Sequence, residues 1–543
     1  MTTLNFLSIA ATFLALLLIL QPRPRLLNAA PIFLFLIVLV NIIVNGYQAN
    51  ILSVYLITIA LILIAVRRLL RAKSTTLQTR SRRSWTAGLL ATGLALLGLL
   101  MAIRATLFFS LPPADLTRLN WSAAFDQMHA RLSKTYAFGD WKEIDWDTLY
   151  DTYAPRIFDA GENKDRQAYY LTLQSYISAI PDGHVWLEGD DFGTRQQMVG
   201  GGYGLEIAAL DDGRIIAVTI TPGGPAEKAG LLWGAELLTW NGLPIESALE
   251  QTAVIWPKRR GAPATAEGLA LEKLRLLVRN PVGTQLTITF LNPGASEPEG
   301  VVLTAVHDGQ MDQDGNNAPG LIPVEKGLIL SSGYGYLKIN NEHEENEPTA
   351  AVQGAIQYFV DSNVPGVIVD VRGNTGGTDD LVPRFVGYFF RERHFYEAIT
   401  IYFQPFNSFI ERPSPIWIEP LEPHYDGPVA VLIDQACFSS GEGIPMALAH
   451  LPQSAVIGFT GTYGSFGMTG GVILMPEGLT LHFPDGQSLD ENGIIQLDSS
   501  AALEGGVAPT IRLPLTEETA RALYLDHQDV LLDYAINYLN GRS

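Results

Sequence analysis

The feature that most constrains this chain is the uneven distribution of its charged residues. The first 112 residues contain ten Lys and Arg residues and no Asp or Glu, whereas the remainder holds 26 basic and all 56 acidic residues. Because a helix needs about 20 apolar residues to cross the core of a bilayer, the long uncharged stretches of residues 1–112 predict membrane helices. Four transmembrane helices are expected, at roughly 3–22, 27–46, 50–66 and 85–104.

The basic residues of this first part indicate how the helices would be oriented. Seven Lys and Arg residues lie between residues 67 and 83, whereas the turn at 45–50 and the amino terminus carry none. Loops rich in basic residues usually remain in the cytoplasm, so both ends of the chain are expected outside it. This interpretation predicts a multi-pass protein of the cell membrane, in contact with the lipid bilayer, whose residues 113–543 are periplasmic or extracellular.

The composition of residues 113–543 excludes several kinds of site. The large acidic excess of this part argues against a nucleic-acid partner, because phosphate binding needs positive charge. A single cysteine, Cys437, excludes an internal disulfide framework and a Cys-rich metal site. The sequence contains neither a metal-ligand cluster nor a nucleotide-binding glycine loop, so no metal and no cofactor are expected.

Residues 113–195 are predicted to be mainly helical. The segments "WSAAFDQMHARLSKTYAF" and "RQAYYLTLQSYISAI" space apolar residues at intervals of three and four, the pattern of a helix with one buried face. The second segment leads into "PDGHVWLEG", where Asp182 and Gly183 favour a turn and "HVWL" begins a strand. Taken alone, His184 is a residue that follows a tight turn.

Residues 196–306 are predicted to form a β domain. "GGYGLEIAAL", "RIIAVTITPGGPAEKAGL" and "QLTITFLN" combine a Gly-rich turn, strands and a short helix in an order that resembles a PDZ domain. A PDZ domain holds a peptide carboxyl terminus with backbone N–H groups while the peptide adds a strand. The residues that match this peptide-binding loop are Gly202, Tyr203, Gly204 and Leu205. Alternatively, these glycines serve turns only, since Ala235 stands where an acid is usual.

Residues 320–543 alternate apolar strands with helices, as in a layered α/β fold. "VPGVIVDVRGNTGG" is a strand that ends in a Gly-rich turn, and "VAVLIDQACFSSGEGIPMALAHLP" leads from a strand into a helix across two serines. The spacing of Ser439 and Glu442 has two interpretations. It fits a nucleophile on a strand–turn–helix, and it also fits a capping box at the start of a helix.

The order of these stretches resembles one peptidase family. The helical segments, "DGH", the PDZ-like unit, "GYLKI", "DVRGNTGG", "FSSGE" and "EGGVAP" follow one another as in the C-terminal processing, or tail-specific, serine peptidases, and most closely as in their tricorn-like branch. The resemblance covers about 113–543. It implies an α/β peptidase core of ClpP/crotonase-like βαβ layers with an inserted PDZ-like β domain, here preceded by the four transmembrane helices.

The resemblance also implies which residues catalyse the reaction. The family nucleophile stands three residues before the glutamate, which is Ser439 here. Many relatives take its proton with a lysine in a downstream "T-x-G-K" stretch, but Ser465 occupies that position and Lys338 is the last lysine of the chain. The tricorn-like branch instead uses a histidine before the PDZ unit, which matches His184. It orients this histidine with a carboxylate that matches Glu504 of "EGGVAP".

Two other histidines compete with His184 for the role of base. His450 lies eleven residues beyond Ser439 in the predicted helix, which corresponds to about 16 Å at the usual rise per residue, too far for a hydrogen bond. His482 lies on a later predicted strand, and its spacing does not exclude it.

The "DVRGNTGG" turn supplies the remaining parts of the implied site. The backbone N–H of Gly376 or Gly377, together with that of Ser440, would form the oxyanion hole. Supporting roles, mainly hydrogen bonds that fix the surrounding loops, are expected for Arg372, Asn374 and Glu442.

Two classes of function follow from this sequence. The first is a membrane-anchored serine endopeptidase that hydrolyses extracytoplasmic polypeptides through an acyl-enzyme on Ser439, with the PDZ domain recognising or gating substrate tails. The second is a catalytically inactive family member that acts as a peptide-binding or scaffold protein.

Overall fold

The structure is a computed structural model, which describes residues 113–258, 261–310, 327–346, 348–412 and 414–541. Its α-helices are α1 Trp121–Thr135, α2 Trp146–Asn163, α3 Arg166–Ser178, α4 Thr194–Val199, α5 Pro225–Lys228, α6 Ile245–Gln251, α7 Ala266–Leu277, α8 Thr349–Asp361, α9 Val382–Val386, α10 Ser440–Ala449, α11 Glu517–Ala520 and α12 Val530–Asn540.

The strands are mostly short. They are β1 Ala114–Asp115, β2 Trp186–Glu188, β3 Gly201–Gly202, β4 Leu205–Ala209, β5 Ile215–Ile220, β6 Glu236–Trp240, β7 Leu243–Pro244, β8 Arg279–Asn280, β9 Gln285–Leu291, β10 Glu299–Thr304, β11 Val306–His307, β12 Leu328–Ile329, β13 Gly335–Lys338, β14 Val367–Asp370, β15 His394–Phe403, β16 Ser408–Glu411, β17 Ile416–Ile418, β18 Val429–Leu432, β19 Ser454–Gly458, β20 Gly471–Leu474, β21 Thr480–Phe483, β22 Gly486–Leu489 and β23 Ile511–Arg512.

The predicted fold class needs one correction, which concerns the membrane. Within the described ranges, no helix is both long enough and apolar enough to span a bilayer. The segments predicted as transmembrane helices, roughly 3–22, 27–46, 50–66 and 85–104, lie outside the described residues. For the described residues, the fold class that the structure supports is therefore an α/β core with an inserted β domain, and the prediction of four transmembrane helices is not supported.

The helical part precedes the β domain, as the apolar spacing predicts. Each of α1, α2 and α3 begins at a residue whose side chain accepts a hydrogen bond from a backbone N–H of the first turn: Asn120, Asp145 and Asp165. Such caps satisfy an N–H group that the helix itself leaves without a partner. The chain then passes through the predicted turn into β2, which pairs with β21 of the later core. The helical part and the core thus share one sheet.

The inserted domain contains the PDZ-like sheet. Its strands follow the order β10-β9-β6-β5-β4, so that β4 lies at an edge. Tyr203, which precedes β4, is fully buried, and its ring lies 5.7 Å from that of Trp240 in β6. Gly204 has a φ of +74°, a conformation that favours glycine. The domain boundaries at 195, 306 and 320 stay predictions.

The α/β core is built on a sheet with the strand order β12-β13-β14-β18-β19-β23. The four central strands, β13, β14, β18 and β19, are parallel to one another, whereas β12 pairs with β13 in the antiparallel direction. The residues of the four central strands are almost entirely buried, as expected for a parallel sheet with both faces covered. One face packs against α8, α9 and α10, through residues such as Phe359, Phe385 and Leu448. The other packs against α12, through Leu531 and Leu539.

The parallel arrangement determines where a site can form. The loops that follow β14 and β18 leave the same edge of the sheet, because the carboxyl ends of neighbouring parallel strands lie together. The first loop carries the "RGNTGG" turn and the second leads to Ser439 and α10. Along the chain, the 3-10 helix Gln404–Phe406 follows β15 and precedes β16.

Candidate active site

Ser439 occupies a sharp turn between β18 and α10. Its backbone has φ 56° and ψ −138°, a combination that is costly for a residue with a side chain and that concentrates at functional sites. The Ser439 side chain makes no capping hydrogen bond to α10, and it is half-buried. The capping-box interpretation is therefore wrong, and the hydroxyl remains available for chemistry.

Gly376 allows the "RGNTGG" turn to approach Ser439 closely. A Cβ atom on Gly376 would lie 2.6 Å from the Cβ of Ser439 and 3.0 Å from the backbone nitrogen of Ser440, and Gly376 has a φ of +81°. Any larger residue would displace the serine. This explains the glycine at a point where the backbone must come near a reacting group.

Of the backbone N–H groups predicted for the oxyanion hole, those of Gly377 and Ser440 remain as candidate donors. The Gly376 N–H donates to Asn374 Oδ1 at 2.9 Å, so it is occupied. Within the described residues, the N–H groups of Gly377 and Ser440 donate no hydrogen bond to a backbone carbonyl. The Ser440 hydroxyl donates to Asp379 and lies 3.1 Å from the carbonyl of Gly377, which ties the two residues together. These two amides are the available donors for a developing oxyanion.

Arg372 and Asn374 make contacts within and around this turn. Arg372 forms ion pairs with the buried Asp370 and with Asp529. The Asn374 side chain donates to Glu342 Oε1 at 2.8 Å. Both side chains make contacts that hold the loop in place, which indicates a supporting role rather than a catalytic one.

Glu442 supports a second loop rather than the start of its own helix. Its carboxyl group is fully buried and accepts hydrogen bonds from Thr462 Oγ1, Gly464 N–H and Ser465 N–H. Burial raises the pKa of Glu442 to about 8, although these hydrogen bonds act in the opposite direction. The loop that it holds is connected directly to the nucleophile, because the Ser439 N–H donates to the carbonyl of Ser465 at 3.1 Å.

The same loop also holds the turn that carries His184. The Gly183 N–H donates to Ser465 Oγ at 3.0 Å, and a Cβ on Gly183 would meet the rings of Phe438 and Tyr463 at 2.5 Å. The His184 ring lies 4.4 Å, centroid to centroid, from that of Phe438, the residue before Ser439. The structure thus brings the "DGH" turn beside the nucleophile across the whole inserted domain. No hydrogen bond between the two described side chains, His184 and Ser439, is present.

His184 lies in a buried cluster of charged groups. It is only 3% exposed, and burial lowers its pKa to about 4. Lys142 lowers this pKa further, whereas the carboxylate of Asp182 raises it. Lys142 in turn pairs with the buried Asp498 at 3.1 Å. At neutral pH the imidazole is therefore neutral, the form in which it can accept a proton.

Comparisons with known proteins agree with this site. Residues 333–513 match peptidase family S41, and residues 117–168 match the C1 domain of tricorn protease. Residues 333–513 therefore carry a peptidase S41 domain. The S41 match contains Ser439 and the "RGNTGG" turn, and the tricorn match covers all of α1 and α2. The predicted family resemblance is confirmed.

Several C-terminal processing peptidases are similar in sequence. The chloroplastic C-terminal processing peptidase of Tetradesmus obliquus is 26% identical over 245 residues, which are 43% of this chain and 46% of that protein. The carboxy-terminal processing protease CtpB of Bacillus subtilis is 24% identical over 302 residues, 54% of each chain. The chain thus spans about half the length of these curated relatives. In fold, it is similar to mature CPAF, with a TM-score of 0.53, 18% identity, and coverage of 77% of this chain and 98% of that one.

The remaining candidate residues lie apart from Ser439 and His184. Glu504 is exposed, and no contact between this described residue and His184 is present. His482 stacks on Trp186 at 4.5 Å and pairs with Glu188 at 2.9 Å. Lys338 is buried in an ion pair with Asp370. The role of Glu504 stays a prediction.

Two charged residues beside the candidate site are absent from the sequence prediction. Asp182 stands within the "PDGH" stretch, where the sequence predicts only a turn. Lys142 lies in the "DWKE" segment, which has no motif to mark it. A lysine next to acidic residues is usually on the surface, so its burial is visible only in the fold.

A cavity of about 740 Å³ lies beside the edge of the PDZ-like sheet. One wall is β4, from Glu206 onward, and another is α7, with Leu271 and Leu274. Residues of the core, among them Phe459 and Leu515, complete the lining. The predicted peptide-binding loop, Gly202 to Leu205, adjoins this cavity along the chain without lining it.

Proposed function

We propose that this protein is a serine endopeptidase that hydrolyses polypeptides through an acyl-enzyme on Ser439, with His184 as the base. The observation that carries the proposal is the double use of Ser465. Its carbonyl holds the Ser439 N–H and its hydroxyl holds the Gly183 N–H. A single residue therefore fixes both turns that would present the nucleophile and the base.

The proposed reaction follows from these positions. The Ser439 hydroxyl attacks the carbonyl carbon of the scissile bond while His184 takes its proton, and the amides of Gly377 and Ser440 bind the oxyanion. The protonated His184 then gives its proton to the departing amine, which leaves an ester on Ser439. Water, activated by His184, hydrolyses this ester. Catalytic hydrogen bonds often tighten only when substrate is bound, which fits the absence of a Ser439–His184 bond here.

Turnover of a quenched-fluorescent peptide tests the proposal. Ser439→Ala and His184→Ala should each abolish hydrolysis to a similar extent, because either change disables the same step. Ser332→Ala, at an exposed serine of a distant turn, is the matched control and should retain full turnover. Retained hydrolysis in Ser439→Ala would refute the nucleophile.

A non-catalytic role as a peptide-binding or scaffold protein is the second candidate. It is favoured by the buried position of His184 and by the missing contact between this residue and Glu504. The two functions differ in one respect: a scaffold would bind polypeptides but release no new amino termini from them. Wild-type protein that binds the peptide without any cleavage would support the scaffold.

We further propose that the cavity beside β4 receives the tail of the substrate. An edge strand offers free backbone groups to an added strand, and α7 supplies apolar side chains opposite it. Peptides with a free apolar carboxyl terminus should bind more tightly than their amides. Equal affinity would remove the carboxylate-reading role but not the peptidase.

The wall of this cavity is also connected to the catalytic loop. Glu267 in the first turn of α7 accepts a hydrogen bond from the Gly461 N–H at 2.7 Å. The Tyr463 hydroxyl donates toward the carbonyls of Gly261 and Ala262, just before α7. A tail that shifts α7 would thus act on the loop that holds Ser439. Glu267→Ala should weaken any stimulation of turnover by a separate tail peptide.

Attachment to the cell membrane and an extracytoplasmic location of the peptidase part are proposed from the charge distribution of residues 1–112. A reporter that is active only in the cytoplasm, fused after Leu111, should be silent. Strong reporter activity would reverse the orientation.

A further inference from the structure

His184 Nδ1 is a buried nitrogen that lacks a hydrogen-bond partner in the structure. A histidine that acts as a base needs one ring nitrogen held by an acceptor, so that the other nitrogen carries the lone pair toward the nucleophile. The residue implied for this task, Glu504, is exposed and makes no contact with the ring. An acceptor that lies closer to His184 Nδ1 than Glu504 does is therefore required.

Asp182 is the carboxylate that lies closest to this nitrogen. Its Oδ1 is 3.9 Å from His184 Nδ1 and accepts the backbone N–H of His184 at 2.8 Å. Its Oδ2 accepts the hydroxyl of Tyr136 at 2.7 Å. The side chain of Asp182 is fully buried and is held from two sides, which is the arrangement of a group that positions another.

We propose that Asp182, and not Glu504, is the positioning residue that orients His184 in catalysis. This inference rests on the proposed function, in which His184 is the base. A movement of the ring that shortens the Nδ1–Oδ1 distance to about 2.9 Å would form the hydrogen bond. The Nδ1–H tautomer is then fixed, Nε2 carries the lone pair that receives the Ser439 proton, and the carboxylate stabilises the imidazolium that results.

Asp182 and His184 are surrounded by polar and charged groups from several elements. The titratable groups that other elements place near Asp182 and His184 are Tyr136, which follows α1, Lys142 and Asp498. Asp498 forms an ion pair with Lys142 at 3.1 Å. Tyr463 packs against Gly183 from the opposite side. Within this cluster, Asp182 is the carboxylate that raises the pKa of His184.

Asp182→Asn tests the inference, because asparagine can still accept the His184 N–H and contact Tyr136. The full-length variant should fold, but kcat should fall on the order of 10²- to 10⁴-fold, as when the carboxylate of a Ser-His-Asp triad is neutralised. KM should change little. The acid limb of the kcat/KM profile should move to lower pH, since the charge that raises the His184 pKa is gone. A purely structural role would not move this limb. Glu504→Gln is the comparison and should keep turnover and profile near wild type.

The results separate the inference from the proposed function. If Ser439→Ala or His184→Ala retains turnover, the proposed function fails. If both lose turnover while Asp182→Asn keeps wild-type kcat and pH profile, and Glu504→Gln loses activity, only the assignment of Asp182 is overturned. Should Asp182→Asn not fold, Tyr136→Phe keeps the carboxylate but removes one of its fixed hydrogen bonds. It is expected to lower kcat, and an unchanged kcat would count against Asp182.

Discussion

The hydroxyl of Ser465 accepts a 3.0 Å hydrogen bond from the backbone N–H of Gly183. Ser465 stands where many relatives of this family place their catalytic lysine, and Gly183 precedes the histidine that would replace it. The position predicted for a lysine base therefore supports the turn that carries the proposed base, His184.

Ser465→Ala should destabilise the folded protein and slow turnover. The change leaves the buried Gly183 N–H without an acceptor, a loss of about 1–3 kcal/mol. The free energy of unfolding from chemical denaturation, and kcat on the same preparation, should both be lower than for the wild type. The matched change at the exposed Ser332 should leave both values unaltered, and an equally small effect of both substitutions would contradict the support role.

The activity of the wild-type enzyme should persist at unusually low pH. Burial lowers the pKa of His184 to about 4, so the base is neutral above that value and is lost only as pH falls through it. An ordinary histidine would instead cause the loss near pH ~6.5. The profile of kcat/KM against pH decides between these values, and an acid limb near pH 6.5 would contradict the buried position of the base.

The depressed pKa of His184 also affects stability. Between about pH 6.5, where an unfolded histidine takes up its proton, and about pH 4, the unfolded chain binds a proton that the folded chain does not. The free energy of unfolding should therefore fall as pH is lowered through this window. Substitution of His184 by Gln should reduce the slope of unfolding free energy against pH in this range. An unchanged slope would argue against the depressed pKa.

Lys142→Met should move the acid limb of kcat/KM in the opposite direction from Asp182→Asn. The Lys142 ammonium lowers the pKa of His184, so its removal raises that pKa and shifts the limb to higher pH. The variant should also be less stable, because Asp498 would lose its buried partner, at a cost of about 3–5 kcal/mol. The profile of kcat/KM against pH should be measured at a temperature where the variant is folded. A shift of the acid limb to lower pH would contradict the proposed effect of Lys142 on the His184 pKa.

Gly376→Ala should abolish most of the activity. The new methyl group would lie 2.6 Å from Ser439 Cβ, at a residue with a φ of +81°. The matched control is Gly354→Ala in α8, where a Cβ meets nothing within 4 Å. Because alanine is favoured over glycine in a helix, this control should be stabilised by about 0.5–1 kcal/mol with full turnover. Full turnover in Gly376→Ala would mean that the turn does not border the nucleophile.

The local sequence predicted those parts of the site that depend on one strand and its turn. "LIDQACFSSGEG" predicted a serine between a strand and a helix, and "DVRGNTGG" predicted a Gly-rich loop at the end of another strand. Their proximity follows from the parallel pairing of β14 and β18. The alternative capping role failed because Glu442 turns to the 462–465 loop, a contact that spacing along one helix does not reveal.

The contacts of the site that join segments far apart in the sequence cannot be predicted from local sequence patterns. His184 was assigned from the order of motifs alone, and its contact with Phe438 spans the whole inserted domain. The pairing of Lys142 with Asp498 joins two segments without any motif. Glu504 matches a motif but lies exposed, and a motif match alone does not indicate whether a side chain is buried.

The most direct test of this account is the labelling of the full-length protein with a serine-reactive fluorophosphonate, followed by mass spectrometry of the modified peptide. We predict one adduct, on Ser439, that is absent from Ser439→Ala and forms far more slowly in His184→Ala, because the hydroxyl then lacks its base. An adduct on another residue, or equal labelling of the wild type and Ser439→Ala, would contradict the account.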